Sequence, residues 1–173
     1  MGREAERGSA LEIRPVRPEE HEEAGAVTAA AYEEFVTSHD DWNGYLRRLA
    51  DIGGRADRTL VLVALDEGRV VGTVTVETHE RVPGSRDRPP LVPDEVHVRM
   101  LGVRPDAQGR GVGRALMEAV LAEARRLDKR RVTLDTTDAM VAAQRLYESM
   151  GFVRGEDLAY DDDFRLRWYE LRL

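Results

Sequence analysis

Seven residues, Gln108-Gly109-Arg110-Gly111-Val112-Gly113-Arg114, place three glycines and two arginines where one hydrophobic pattern gives way to another. Ahead of them, residues 96–103 are apolar and β-branched until Arg104, Pro105 and Asp106 interrupt, the mark of a strand that ends. Behind them, Leu116, Ala119, Val120, Ala124 and Leu127 recur at helical spacing, with Arg114, Glu118, Glu123, Arg125 and Arg126 mostly off that face. The glycines therefore fall where a strand feeds a helix. The leading N–H groups of a helix have no partner within it, and the helix dipole places about half a positive charge there, so an anion is stabilised. Gly109, Gly111 and Gly113 would let that anion reach the main chain. Arg110 and Arg114 add forked donors suited to phosphate oxygens. The competing reading is a tight turn with helix packed closely on strand.

Spacing excludes two familiar phosphate loops. GxxxxGK[ST] fails because no Lys follows the glycines, and GxGxxG fails because the sixth position is Arg114 counted from Gly109 and Leu116 counted from Gly111. What remains is Gln-x-x-Gly-x-Gly after Leu101-Gly102-Val103. These residues resemble the signature of the GNAT family of acyl-CoA-dependent N-acyltransferases. A second block, residues 134–152, strengthens the resemblance: Ala143, Leu146-Tyr147 and Gly151-Phe152 stand at the family's offsets. Met140 stands where the family usually has Asn, with Asp138 as the substitute cap for the following helix.

The resemblance implies a fold: a mixed α/β, mostly antiparallel central sheet of about seven strands, with a splayed parallel pair and flanking helices. It also implies acetyl-CoA as co-substrate, with no metal. The pantetheine arm would lie between the strands at residues 96–103 and 131–136. Its amides would meet main-chain groups near Leu101, Gly102 and Val103, and its pyrophosphate would rest on Gln108, Gly109, Arg110, Gly111, Val112 and Gly113, with Arg114 nearby. The reaction implied is acetyl transfer to a primary amine by direct attack in a ternary complex. A catalytically silent acyl-CoA-binding sensor of the same fold is the alternative.

An amine with a pKa near 10 arrives charged, so a base must take a proton. His97 is the first candidate, standing six positions before Val103, where some family members carry a catalytic Glu. Glu95 follows, two residues away on the same strand face, and Asp135 is a weaker alternative. The resemblance puts the Tyr147 hydroxyl near the cofactor sulfur as proton donor, and a backbone N–H near Leu101 as oxyanion donor. His97, Glu95 and Tyr147 could equally be structural residues of strand and core.

The elements that would position these groups read as follows. Residues 11–16 form a strand, 19–36 a helix with Pro18 at its start, and 42–52 a second helix capped by Asp40 or Asp41. Residues 59–65 and 69–78 make a hairpin around Asp66-Glu67-Gly68, with Gly72 as a bulge. Residues 78–94, with Pro83, Pro89, Pro90, Pro93, Arg81, Arg86 and Arg88, form a long loop, functional or merely solvated. A strand at 131–136, a helix at 140–150 ended by Gly151, and a terminal hairpin around Tyr160-Asp161-Asp162-Asp163 complete the chain. Tyr32, Glu33, His39, Asp40, Trp42 and Tyr45, with the long loop, are the expected wall of the acceptor pocket.

Composition bounds the rest. The 173 residues read as a single domain, with 1–9 as a flexible tail. With no Cys there is no disulfide, thiol nucleophile or thiolate metal ligand. No run of 18 apolar residues and no leader pattern occur, so a cytoplasmic protein without membrane partners is expected. Net charge −7 and pI near 5.2 argue against nucleic acid and favour amine acceptors, small molecule or peptide. The run Arg125, Arg126, Lys129, Arg130, Arg131 reads as a helix C-terminus complementing its dipole. An edge strand in the terminal hairpin could pair two copies as a homodimer.

Overall fold

A computed structural model describes residues 10–35, 42–82, 90–159 and 165–173. The strands are β1 (Glu12–Pro15), β2 (Leu60–Asp66), β3 (Arg69–Glu77), β4 (Glu95–Val103), β5 (Arg131–Thr136), β6 (Val153–Arg154), β7 (Leu158–Ala159) and β8 (Arg165–Arg172). The helices are α1 (His21–Tyr32), α2 (Trp42–Ala50), α3 (Ile52–Ala56), α4 (Val112–Arg126) and α5 (Val141–Ser149). One sheet runs in the order β1-β2-β3-β4-β5-β8-β6, with β7 also paired to β8. All its neighbours are antiparallel except β4 and β5. The expected mixed sheet with one parallel pair is therefore present.

Period-two patterning gives the sheet two unlike faces. Leu62, Val74, Val76, Val96, Val98, Val132, Leu134 and Tyr169 join Leu116, Met117, Val120 and Ala124 of α4 and Tyr147 of α5 in the larger core. On the opposite face Val61, Val63, Leu65 and Val70 pack under Ala24 and Val27 of α1 and Ile52 of α3. Further along that opposite face the buried residues turn polar: Thr73, Thr75, Glu77, Glu95, His97 and Thr133.

Boundaries depart from expectation for identifiable reasons. The first helix starts at His21 after a 3-10 turn at Pro18–Glu20 and ends at Tyr32. The expected second helix breaks at Asp51, whose carboxylate accepts from the Gly54 N–H and starts α3 instead. The Asp66 hairpin forms, with Glu67 at φ 51° and Gly68 at φ 79°, the primed turn that matches strand twist. Near Gly72 the register shifts, because Ala64 faces Gly72 while Leu65 faces Val70. A Cβ on Gly72 would also lie 2.8 Å from Val112 and 2.9 Å from Leu116, so this glycine lets α4 sit close on the sheet. Asp138 does not cap α5: the cap position is Met140, which makes no side-chain cap, and Asp138 binds Arg167 instead. Gly151, at φ 91°, closes α5 as expected, and the N–H groups of Gly151 and Phe152 bond the carbonyls of Glu148 and Tyr147. The terminal hairpin is present, its partner strand interrupted between β6 and β7 where the register against β8 slips by one residue. Residues 1–9, His39, Asp40, Asp41, residues 83–89 of the long loop, and Tyr160 to Asp163 lie outside the described residues.

Candidate active site

The parallel pairing of β4 with β5 runs from Glu95 opposite Arg131 to Val98 opposite Leu134 and then stops, although β4 continues to Val103 and β5 to Thr136. The divergence has a local cause. Met100 has φ 52°, and β4 spends an extra residue between its pairings Arg99–Thr75 and Gly102–Thr73. The resulting bulge turns β4 away from β5. Beyond Val98, the β5-facing edge of β4 is left with main-chain donors and acceptors to be satisfied.

At the top of this gap sits the glycine loop. Gly109 has φ 73° and Gly111 φ 82°, and a Cβ at either would meet nothing within 4 Å. These two glycines serve backbone conformation beside open space. Gly113 and Gly102 serve packing: added Cβ atoms would lie 3.3 Å from Leu146 and 3.0 Å from Ala31. The turn and the close packing of the competing reading are thus divided between different members of the triplet. The first bond of the α4 ladder runs from the Ala115 N–H to the Gly111 carbonyl, so the N–H groups of Val112, Gly113 and Arg114 stand ahead of it and face the loop. Arg110 reaches Asp66 at 2.9 Å, Arg114 reaches Ser149 at 2.7 Å, and the Gln108 amide donates to the Val103 carbonyl.

His97 points away from the loop, onto the polar face, and is fully buried. Its Nε2 is 3.2 Å from Asp135 and its Nδ1 is 2.8 Å from the Thr133 hydroxyl, while its ring stacks on Trp168 with centroids 5.2 Å apart. Burial pushes its pKa down, more than Asp135 and Glu77 push it up. Glu95 is also interior, held by Arg131 at 2.6 Å and by the Thr133 hydroxyl at 2.7 Å. Asp135 stands at the mouth of the gap, one residue beyond the last β4–β5 pair.

Tyr147 on α5 is 5% exposed, beside Phe152 and Tyr169. Burial, then Asp135 and Tyr169, push its hydroxyl well above an ordinary phenol. Tyr32 of α1 behaves likewise, raised by burial and then by Tyr45, Tyr147 and Asp135, against which Arg99 pulls it down. Tyr32, Tyr45, Asp135 and Tyr147 thus converge from α1, α2, β5 and α5. Glu33 is exposed on the turn that follows α1. Trp42 begins α2.

Sequence reading missed the ion lattice below this cluster. Glu77, fully buried, binds Arg81 at 2.9 Å and the Val82 N–H at 2.8 Å, and lies 3.4 Å from Arg99. Burial raises the Glu77 pKa, but His97, Arg81 and Arg99 more than offset it and hold the carboxyl below its ordinary value. Arg55, 4% exposed, donates to Thr75 and to the carbonyls of Arg48 and Leu49, tying α2 to the sheet. Burial lowers its pKa to about 10. The basic run after α4 is largely engaged: Lys129 donates to the carbonyls of Thr78 and Pro93, Arg126 binds Glu123, and Arg131 binds Glu95 and Glu170.

Residues 21–152, spanning the gap, the loop and α5, match the profile described as the Acetyltransferase (GNAT) family. The chain belongs to this family. It is 35% identical over 144 residues to a mycothiol acetyltransferase of Geodermatophilus obscurus, covering 83% of this chain and 45% of that protein. It is 33% identical over 90 residues to an N-acetylaspartate synthetase of Xenopus tropicalis, covering 52% of this chain and 29% of that protein. The chain thus spans less than half the length of these relatives. Among solved structures, the PaiA N-acetyltransferase of Thermoplasma acidophilum in complex with coenzyme A has a TM-score of 0.75 at 13% identity, covering 95% and 99%. A Salmonella typhimurium acetyltransferase with acetyl-CoA has a TM-score of 0.64 at 23% identity, covering 94% of each chain. These two establish the likeness of fold. Among the described residues of this GNAT chain, no group of three or more His, Asp or Glu could hold a metal ion, and no helix is long and apolar enough to cross a membrane.

Proposed function

We propose that this GNAT domain transfers the acetyl group of acetyl-CoA directly to a primary amine, without an acyl-enzyme intermediate. The observation that carries the reading is the gap between β4 and β5, open beyond Val98 and Leu134 and ending at the Gly109–Gly111 turn. An extended amide-bearing chain satisfies the exposed edge of β4 near Leu101, Gly102 and Val103 as an added strand would. The pyrophosphate fits the open space at Gln108, Gly109, Arg110 and Gly111, against the leading N–H groups of α4 at Val112, Gly113 and Arg114.

The acceptor approaches from the polar face. Its ammonium gives one proton to Asp135, with His97 behind the carboxylate, and the freed lone pair attacks the thioester carbonyl. A backbone N–H beside the Met100 bulge, near Leu101, stabilises the oxyanion. The C–S bond then breaks. Tyr147, kept protonated by its surroundings, donates to the departing sulfur and recovers a proton from the nitrogen that has become an amide. Glu95 acts through Thr133 rather than on the substrate. The acceptor class is a small-molecule or peptide amine, and the acceptors of mycothiol acetyltransferases head the screen because such relatives align over most of this chain.

Calorimetric titration with acetyl-CoA tests the reading. One-to-one binding is expected, weakened about a hundredfold by Gly111→Glu, which sets a carboxylate against the phosphates in a variant whose thermal melt is checked in parallel. Absence of binding to acetyl-CoA and to coenzyme A by a folded protein overturns it.

A further inference from the structure

Four side chains on the polar face form an unbroken line of contacts. Asp135 Oδ2 lies 3.2 Å from His97 Nε2, His97 Nδ1 lies 2.8 Å from Thr133 Oγ1, and the Thr133 hydroxyl donates to Glu95 Oε1 at 2.7 Å. Three contacts require three hydrogens. A neutral imidazole brings one N–H, a threonine brings one O–H, and an ionised carboxylate brings none. With both carboxylates ionised and the imidazole neutral, one buried contact would set two acceptors against each other. Only one additional proton completes the line. The Val96 carbonyl, 3.5 Å from the Thr133 hydroxyl, is too distant to compete with Glu95.

The neighbours decide where that proton lies. Glu95 faces the guanidinium groups of Arg131 at 2.6 Å and Arg81 at 3.8 Å, so that end is already compensated. With the Thr133 hydrogen turned to Glu95, His97 must present Nδ1–H to Thr133, which leaves its Nε2 lone pair facing Asp135. The added proton occupies that last contact. Around the pair stand Glu77 and Arg81 from β3 and the turn after it, Arg99 from β4, Tyr32 and Tyr45 from α1 and α2, Tyr147 from α5, and Trp168 from β8. At the far end Glu95, Arg131, Trp168 and Glu170 line a groove of about 890 Å³.

We propose that Asp135, His97, Thr133 and Glu95 form a one-proton store that fills and empties at Asp135, Asp135 meeting the amine and Thr133, held by Glu95, positioning His97. Its catalytic meaning rests on the transferase reading above. In the emptied state the added proton has gone from Asp135 to water at the mouth of the strand gap. An incoming ammonium then refills the store: one N–H bond breaks, its electron pair stays on nitrogen, and one O–H bond forms on Asp135. After the product departs, that O–H bond breaks and the proton passes to water at the mouth of the strand gap, so one proton leaves Asp135 for each that enters and the charge of the line is restored at every turnover.

Imidazole ¹⁵N–¹H correlation spectra of the full chain across pH test this, with His97 picked out from the four histidines by its loss in His97→Gln. The expected result is a His97 that keeps its proton on Nδ1 while Nε2 moves with pH as the added proton leaves. Asp135→Asn should abolish that movement, since an amide N–H donates to Nε2 permanently. Thr133→Val should give mixed tautomers and lower kcat about tenfold with the KM for acetyl-CoA unchanged, and Thr133→Ser should restore both. A His97 protonated on Nε2 at every pH, and unaltered by Asp135→Asn and Thr133→Val, overturns the proposal. The transferase reading fails separately: wild-type protein without turnover but with the expected His97 behaviour keeps the proton line and removes the reaction, whereas turnover with an indifferent His97 does the reverse.

Discussion

The two faces of the central sheet are built from the same strands and obey different rules. Under α4 and α5, Val74, Val96, Val98, Val132 and Leu134 need only fit, and burial itself stabilises them. Across the sheet, Thr75, Glu77, Glu95, His97 and Thr133 are nearly as enclosed, and each is tolerable only because a named partner satisfies it. The lesson is a division of labour: one face stabilises the fold, and the other maintains a set of paired charges beside the mouth of the strand gap.

Truncation on the apolar face should cost most in stability. Leu116→Ala removes a fully buried side chain from the α4–sheet contact and should lower unfolding free energy by about 3 kcal/mol, read by urea denaturation. On the polar face the largest loss should come from Arg55→Met, about 2 kcal/mol, because the carbonyls of Arg48 and Leu49 lose a buried donor. A loss as large as that of Leu116→Ala would show that the polar face is equally a source of stability, against the division drawn above.

Of the two faces of the sheet, the polar one should carry the acid sensitivity. The folded pKa values of His97 and Glu77 both lie below their ordinary values, so the unfolded chain binds more protons. The contribution of His97 is complete above about pH 6.5 and fades as pH falls through its lower folded value; that of Glu77 is complete above about pH 4.3 and fades below. Glu77→Gln should therefore cost about 1 kcal/mol at pH 7 and progressively less as pH falls below about 4.3, by denaturation across that range. Leu116→Ala should cost the same throughout. The smallest effect belongs to the paired hydroxyls of Thr28 and Thr73, 2.6 Å apart. Either Val replacement alone should destabilise by about 1 kcal/mol and the double replacement by less than the sum of the two, in a double-mutant cycle.

The apolar face and the loop were legible in the sequence because each rests on a local signal. Helical spacing from Val112 marked α4, and glycines at Gly109 and Gly111 answer a demand for positive φ that few other residues meet. The polar face was legible only in part. His97, Glu95, Asp135 and Tyr147 could be named, but which of them meet depends on strand register between segments some 38 positions apart, as for His97 and Asp135. Thr133, Trp168, Glu77 and Arg55 give no local sign of their role. Met100 takes a positive φ with no glycine to announce it, and the bulge it makes opens the gap on which the site depends.

The most direct test of this division is the turnover of Asp135→Asn with acetyl-CoA and an accepted amine, measured beside its melting temperature and its affinity for acetyl-CoA. The expected result is a kcat lower by about a hundredfold or more, with melting temperature and acetyl-CoA affinity close to wild type. A variant that turns over normally, or one that fails only because it no longer folds, would contradict it.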